Sequence, residues 1–375
     1  MLNVERRVSL AIARPLPPTL AHAALLFVAL CWIGEWAART PMVQNHIPYQ
    51  VYGINHPQIE IQFNLLERFV QEQGAPDCLI LGSSQAFRSI DPIAFEHTFE
   101  AATNQPISCY NFGITGAQIR TTSMVVQLLF KEYPPRLVVV GTSFLDYTEL
   151  RRQDIDERFT QNDWIRYRLG KFSLNGWLSE HSYAWRALTF LSYAAPHGMR
   201  YEAARREFKK WDGEIAPNGF ATSPKAIDPT VPLQTAAVKN FQRQLGNYHL
   251  SEHDLAALEE IITRSQALGA QVIVVEMAYH QALLELKDAH GQPRMDKDRL
   301  QAFIAQVNDR LREIADKHGI PFIELDPTLP LPKNGWYDLY HLNRIGAEPY
   351  SRWLGERAAQ TLDPLPPPLS GRNGK

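Results

Sequence analysis

Cysteine is scarce in this chain, with three in 375 residues. No Cys-x-x-Cys and no Cys/His pair at zinc spacing occurs, so a thiolate metal site is not expected. Charge of one sign is also missing. Lys and Arg number 38 against 40 Asp and Glu, a net charge of −2. That balance gives no reason to invoke nucleic acid. Arg205, Arg206, Lys209 and Lys210 form the one short basic run, read as a solvated helix face. There is no Gly-x-x-x-x-Gly-Lys phosphate loop. The Gly-x-Ser-x-Gly elbow is absent too, because Gly82-Ser83-Ser84-Gln85-Ala86 lacks its last glycine. No internal repeat is visible.

What is present is enough apolar sequence for a sizeable core. Hydrophobic residues make up 45% of the chain and charged ones 21%. The length allows one large domain or two modest ones. Residues 19–38 read TLAHAALLFVALCWIGEWAA, about the ~20 residues that cross a bilayer. Arg6, Arg7 and Arg14 precede this span, and only Arg39 follows closely. The positive-inside rule then leaves residues 1–18 cytoplasmic and exports the rest. Trp32 and Trp36 suit an outer aromatic belt, and His22 and Glu35 lie near the two ends. A cleaved signal peptide or an interfacial helix shares this composition, but Trp36 and Arg39 fit a cleavage site poorly.

Five β-rich runs alternate with helical patterns: 78–81, 107–112, 137–141, 271–277 and 321–325. Continuous apolar stretches such as Leu137-Val138-Val139-Val140 are the mark of strands buried on both faces. Helices are expected over 92–100, 117–131, 252–268, 297–318 and 347–362, with Ser251 as an N-cap and Gly269 and Gly319 just past helix ends. The expectation is an α/β three-layer sandwich around a five-stranded parallel sheet. Residues 39–75 read as a juxtamembrane linker holding one helix, 58–73. Residues 76–362 read as the globular domain. Within it, 147–250 form a mostly helical, aromatic-rich insertion (Trp164, Tyr167, Trp177, Tyr183, Trp185, Tyr193, Trp211), looser over 216–232. His181 and His197 lie there without partners. Residues 363–375, rich in Pro and Gly, read as a disordered tail. Cys78 and Cys109 fall in adjacent runs. A disulfide between them and two inert buried thiols are both open, the latter favoured.

In a parallel sheet, ligands bind at the carboxyl ends of strands, and Ser84, Gly116 and Ser143 all fall just past such ends. A serine needs a base to take its proton, and the base needs an orienting partner. His341 is the best base, and Asp338, three residues earlier, can hold its tautomer. The backbone N–H groups of Ser84 and Gly116 are candidate oxyanion donors. Asn111, Glu276, Tyr279 and His280 are candidate substrate contacts. His280 is the rival base, and Ser83 the rival nucleophile.

These blocks resemble the SGNH (GDSL-type) hydrolase superfamily over roughly residues 76–360. Gly82-Ser83-Ser84 stands where that family has its Gly-Asp-Ser turn, Gly116 where it has its oxyanion glycine, and Asp338-Leu339-Tyr340-His341-Leu342-Asn343 matches its last block. The third block, normally Gly-x-Asn-Asp, reads Gly141-Thr142-Ser143-Phe144, leaving Ser143 as a weaker oxyanion donor. The resemblance implies a flavodoxin-like fold and a Ser84–His341–Asp338 triad, with no metal and no organic cofactor. The Gly-Ser-Ser turn, the missing asparagine and the anchor are similar to one membrane-anchored subgroup. It holds the D-alanine transfer protein of lipoteichoic acid biosynthesis and the alginate O-acetylation proteins. That likeness implies a membrane-bound O-acyltransferase as partner, a cell-surface glycan or glycolipid as substrate, and action outside the cytoplasm.

Overall fold

The computed structural model describes residues 18–47, 51–148, 153–194, 201–226, 249–285 and 296–367. The apolar runs form strands β1 (Cys78–Gly82), β2 (Cys109–Asn111), β3 (Leu137–Thr142), β4 (Gln271–Glu276) and β5 (Phe322–Ile323). They pair in the order β2-β1-β3-β4-β5, and every pairing is parallel. This is the flavodoxin-like order, as expected, and its switch point lies between β1 and β3.

Alternate strand residues point to opposite faces, and each face meets its own helices. Leu79, Leu81, Val138, Val140, Val272 and Val274 belong to one core. They share it with helices α3 (Pro57–Gln73), α6 (Ile119–Glu132), α12 (Glu252–Ala267) and α13 (Lys297–His318). Ile80, Val139, Ile273 and Val275 belong to a second core with α5 (Pro92–Thr103) and α14 (Arg344–Thr361). The result is a three-layer sandwich. Ser251 caps α12, accepting from Asp254 N–H at 3.2 Å.

Helix α5 runs on to Thr103 and α14 starts at Arg344, and four larger differences from expectation stand beside these. The two outer strands are shorter than their apolar runs. Beyond β2, the chain continues with single bonds, Phe112 N–H to Ile80 O (2.8 Å) and Ile114 N–H to Gly82 O (2.9 Å). Pro321 lends β4 only its carbonyl, having no N–H to give. Most of the supposed linker is core: α3 is buried along most of its length, and Tyr52 stacks on Trp164 at 4.0 Å. The tail is docked at its start. Gln271 Nε2 donates to Asp363 O and Pro364 O, Arg136 to Pro366 O, Leu365 N–H to Gln105, and Leu365 is buried. Residues 368–375 lie outside the described residues.

The insertion carries α7 (Gln153–Gln161), α8 (Asp163–Arg168), α9 (Leu174–His181), α10 (Tyr183–Ala194) and α11 (Tyr201–Glu214). A bridge between Thr148 and Leu250 joins its two feet. Arg168 ties it to the sandwich through Glu132 on α6 and Glu67 on α3. The stretch expected to be loose begins with a pinned turn at 216–221: Asn111 N–H donates to Asn218 O, and Ala221 N–H to Phe87 O. This covers the free edge of β2. Residues 227–232, like His197 and the Tyr193 side chain, lie outside the described residues. Along α11, Arg206, Lys209 and Lys210 are exposed, while Arg205 reaches Asn45 O. Cys78 and Cys109 are register partners on β1 and β2, both buried and both free thiols.

Among the described residues, one helix, α1 (Pro18–Ala38), is long and apolar enough to cross a membrane, and its apolar window is unburied; the short α2 (Pro41–Gln44) follows it. Residues 1–17, including Arg6, Arg7 and Arg14, lie outside the described residues.

Candidate active site

At the end of β1 the chain makes a turn that glycine alone permits. Gly82 has φ +143°, and a Cβ there would sit 2.2 Å from Gly141 O, its register partner on β3. The turn feeds directly into α4 (Ser84–Ser89), with Ser83 as N-cap and Ser84 as the first helical residue. First-turn N–H groups have no intrahelical acceptor, and the Ser84 N–H makes no bond to the described residues.

Asp338 and His341 come from a closed loop before α14. A Trp336–Leu342 bridge and a Tyr337 N–H to His341 O bond (2.9 Å) close it. Inside, Asp338 Oδ1 accepts from Tyr340 N–H and His341 N–H, each at 2.9 Å. Asn343, with its side chain accepting from Ile345 and Gly346 N–H, caps α14. That role belongs to the asparagine, so Asp338 is free to serve the histidine.

His341 Nδ1 lies 2.8 Å from Asp338 Oδ2, and His341 Nε2 lies 2.7 Å from Ser84 Oγ. Burial works against the Asp338 charge, but the neighbouring imidazole and two backbone donors outweigh it and hold its pKa below the usual value. An ionised Asp338 only accepts. Nδ1 therefore carries the proton, and the Nε2 lone pair faces the serine hydroxyl. Ser83 does not share this position. Its hydroxyl caps α4 and faces Asp146.

The second candidate donor lies in the loop after β2. Gly116 has φ +80°, and its N–H bonds to none of the described residues. The Ile114 to Gly82 bond brings this loop beside the serine turn. Gly113 lets it come that close, since a Cβ there would lie 2.5 Å from Phe87 N. Gln58, fully buried on α3, fixes the same loop from behind: its amide donates to Gly113 O and accepts from Thr115 N–H, both at 2.9 Å.

Five residues named from the sequence serve elsewhere. Ser143 is 1% exposed, and both its N–H (2.8 Å) and its hydroxyl (3.4 Å) donate to Asp146 Oδ2. It caps a 3-10 turn, Phe144–Tyr147, and has no free donor for an oxyanion. Asn111 is fully buried, donating to Ala86 O and Ile90 O and accepting from Gly113 N–H. It braces α4 and offers a substrate nothing. Glu276 accepts from Asn308 and from Leu325 N–H, holding α13 and the strand edge. Tyr279 packs edge-on against Phe144. His280 packs on Trp336 and accepts from Ala282 N–H, so it is no base for Ser84.

Two further residues had no motif to announce them. Gln85 Nε2 donates to Tyr340 O at 2.8 Å, clamping the serine helix to the histidine loop. Asp146, buried behind the serine turn, gathers the Ser83 and Ser143 hydroxyls and the Ser143 N–H. Burial pushes its pKa up to about 7. An unfolded Asp titrates near ~3.9, so between about 4 and 7 the unfolded chain binds fewer protons. The stability contribution is complete below about pH 4 and is lost as pH rises through 7. Glu60 and Glu96, also raised to about 7 by burial, act in the same sense. Asp146→Asn should therefore flatten part of the fall in urea midpoint between pH 5 and pH 8. An unchanged pH dependence would remove Asp146 from this account.

No family model and no curated protein matches the chain. Among solved structures, one similar to it is a protein from Bacteroides fragilis provisionally assigned as an acylhydrolase. It has 13% identity and a TM-score of 0.34, and the match covers 79% of this chain and 95% of that one. Another, from Agrobacterium tumefaciens and provisionally assigned as an arylesterase, has 12% identity and a TM-score of 0.33, with 76% and 99% covered. Likenesses this slight carry no argument about activity, which has to come from the site.

Proposed function

We propose that this protein is an SGNH-type serine O-acyltransferase or esterase, anchored by α1 and acting outside the cytoplasm on a cell-surface polysaccharide or glycolipid. The observation that carries the reading is the continuous Ser84–His341–Asp338 contact at the carboxyl end of a parallel sheet. Ser84 Oγ attacks an ester carbonyl while His341 Nε2 takes its proton. Asp338 stabilises the resulting imidazolium. The tetrahedral oxyanion takes the Ser84 and Gly116 N–H groups. Collapse breaks the ester bond, and His341 returns the proton to the departing alkoxide. An acceptor hydroxyl, or water, then attacks the Ser84 acyl-enzyme with His341 again as base. A membrane-bound O-acyltransferase is the partner that would supply the acyl group, a role supported by the anchor and by the Gly-Ser-Ser resemblance alone.

One observation favours a second reading, a scaffold that recruits the partner without chemistry. With Ser143 committed to Asp146, the oxyanion has two backbone donors and no side chain. The full chain in detergent, treated with a fluorophosphonate and mapped by peptide mass spectrometry, separates the two. An adduct on Ser84 that disappears in His341→Ala supports the enzyme. No adduct in folded protein transfers the case to the scaffold.

A further inference from the structure

The outer end of α1 does not hang free. Glu35 Oε2 accepts from the Ser182 hydroxyl at 2.8 Å and from Ala184 N–H at 3.1 Å, and Oε1 accepts from Tyr183 N–H at 3.0 Å. It thus caps α10 of the insertion, although 147 residues separate it from Ser182. Arg39 donates from both Nε (2.9 Å) and Nη2 (2.8 Å) to Glu35 Oε1 and lies over the Tyr183 ring at 4.4 Å. The candidate membrane helix and the insertion are joined at that point.

Around the joint the insertion exposes large apolar side chains. Leu188 and Leu191 on α10 are 58% and 45% exposed, while Arg186 and Phe190 turn inward. Leu174 and Trp177 on α9 are exposed, and Phe172 just before it is 76% exposed. Ring contacts link Phe172 to Tyr167, Tyr167 to His181, and His181 to Trp177. At 1.5 Å per residue, Trp177 and Leu188 each lie within roughly 8 Å of the Glu35 joint along their helices. The cations Arg166 and Lys171, both exposed, lie in the stretch of the insertion that leads into α9. Exposed apolar side chains with cations close by in the chain suit a bilayer's headgroup layer.

We propose that this face of the insertion, Phe172, Leu174, Trp177, Leu188 and Leu191, lies in the interface of the same bilayer that α1 crosses. The occupant is lipid, because the face continues directly from a helix end that would itself emerge from lipid. The proposal does not depend on which chemistry Ser84 performs.

The test uses the full chain in vesicles of phosphatidylcholine and phosphatidylglycerol. In a Cys31→Ser background, Phe172→Cys, Leu188→Cys and, as control, Arg352→Cys on α14 each receive an environment-sensitive fluorophore. Cys78 and Cys109 are buried and stay unlabelled. Quenching by a lipid spin-labelled near its headgroup should be at least threefold stronger at positions 172 and 188 than at 352, with iodide quenching correspondingly weaker. Iodide access equal to that of position 352 overturns the proposal. Shielding from both quenchers also overturns it, because the face is then covered by protein. In the parent chain, a label on Cys31 that remains open to iodide overturns it as well, since α1 is then outside the bilayer.

Discussion

Ser84→Ala should abolish fluorophosphonate modification, and His341→Ala should slow it by about 10⁴-fold or more, with the fold intact in both. The size of the effect follows from how the groups depend on one another. Without the imidazole the hydroxyl keeps its proton, and without the hydroxyl the imidazole has nothing to activate. Replacing both should therefore cost little more than replacing one. Asp338→Asn should retain the loop, because its Oδ1 acceptor role survives, yet it should fix the wrong imidazole tautomer and lose about 10⁴-fold. The second-order rate constant of modification measures all three. A His341→Ala protein that reacts at the parent rate would show that the 2.7 Å contact does not activate Ser84.

The second large effect concerns stability. Gly82→Ala should cost about 3–5 kcal/mol, combining left-handed backbone strain with overpacking of a close crossing. The new methyl would meet Gly141 O at 2.2 Å and Ala86 Cβ at 2.8 Å, so strand β3 and helix α4 would both have to move. A typical domain has about 5–15 kcal/mol in total. The variant should thus be largely unfolded at modest urea concentrations, and what remains folded should label poorly at Ser84. Gly74→Ala is the useful comparison. Its φ is +87°, but nothing lies within 4 Å of the added carbon. It should pay only the backbone part, about 1–2 kcal/mol. Equal urea midpoints for the two would mean that the crossing at Gly82 is looser than 2.2 Å implies.

The sheet and the Asp338–His341 pair were readable in the sequence because both are local signals. Val138-Val139-Val140 reports burial on two faces, and an Asp three residues before a His on a short loop places carboxylate and ring together. The supports were not readable. Gln85 meets Tyr340 across 255 residues, and Gln58 meets Gly113 across 55. A glutamine on a helix looks the same whether it faces water or holds a loop. Ser143 misled for a related reason, since a serine after a strand can be a free donor or a cap. The choice was made by Asp146, three residues on, whose burial no pattern announces. The start of the tail was not legible because Pro-rich composition says nothing about docking, which here rests on buried Leu365 and on Gln105, Arg136 and Gln271, far away in the chain.

The Glu35 cap bears on how a soluble version of this protein should be cut. A truncation beginning at Arg39 removes the whole hydrophobic helix, but with it the carboxylate that serves Ser182, Tyr183 and Ala184. Loss of a helix cap costs about 1 kcal/mol, borne by the element that shields Tyr52 and Gly53 beneath it. A start at Gly34 retains the acceptor and its Arg39 partner while discarding most of the apolar length. Between two such fragments, the longer by five residues should melt higher, and hydrogen exchange at Tyr183 and Ala184 should report the difference before any global change is seen.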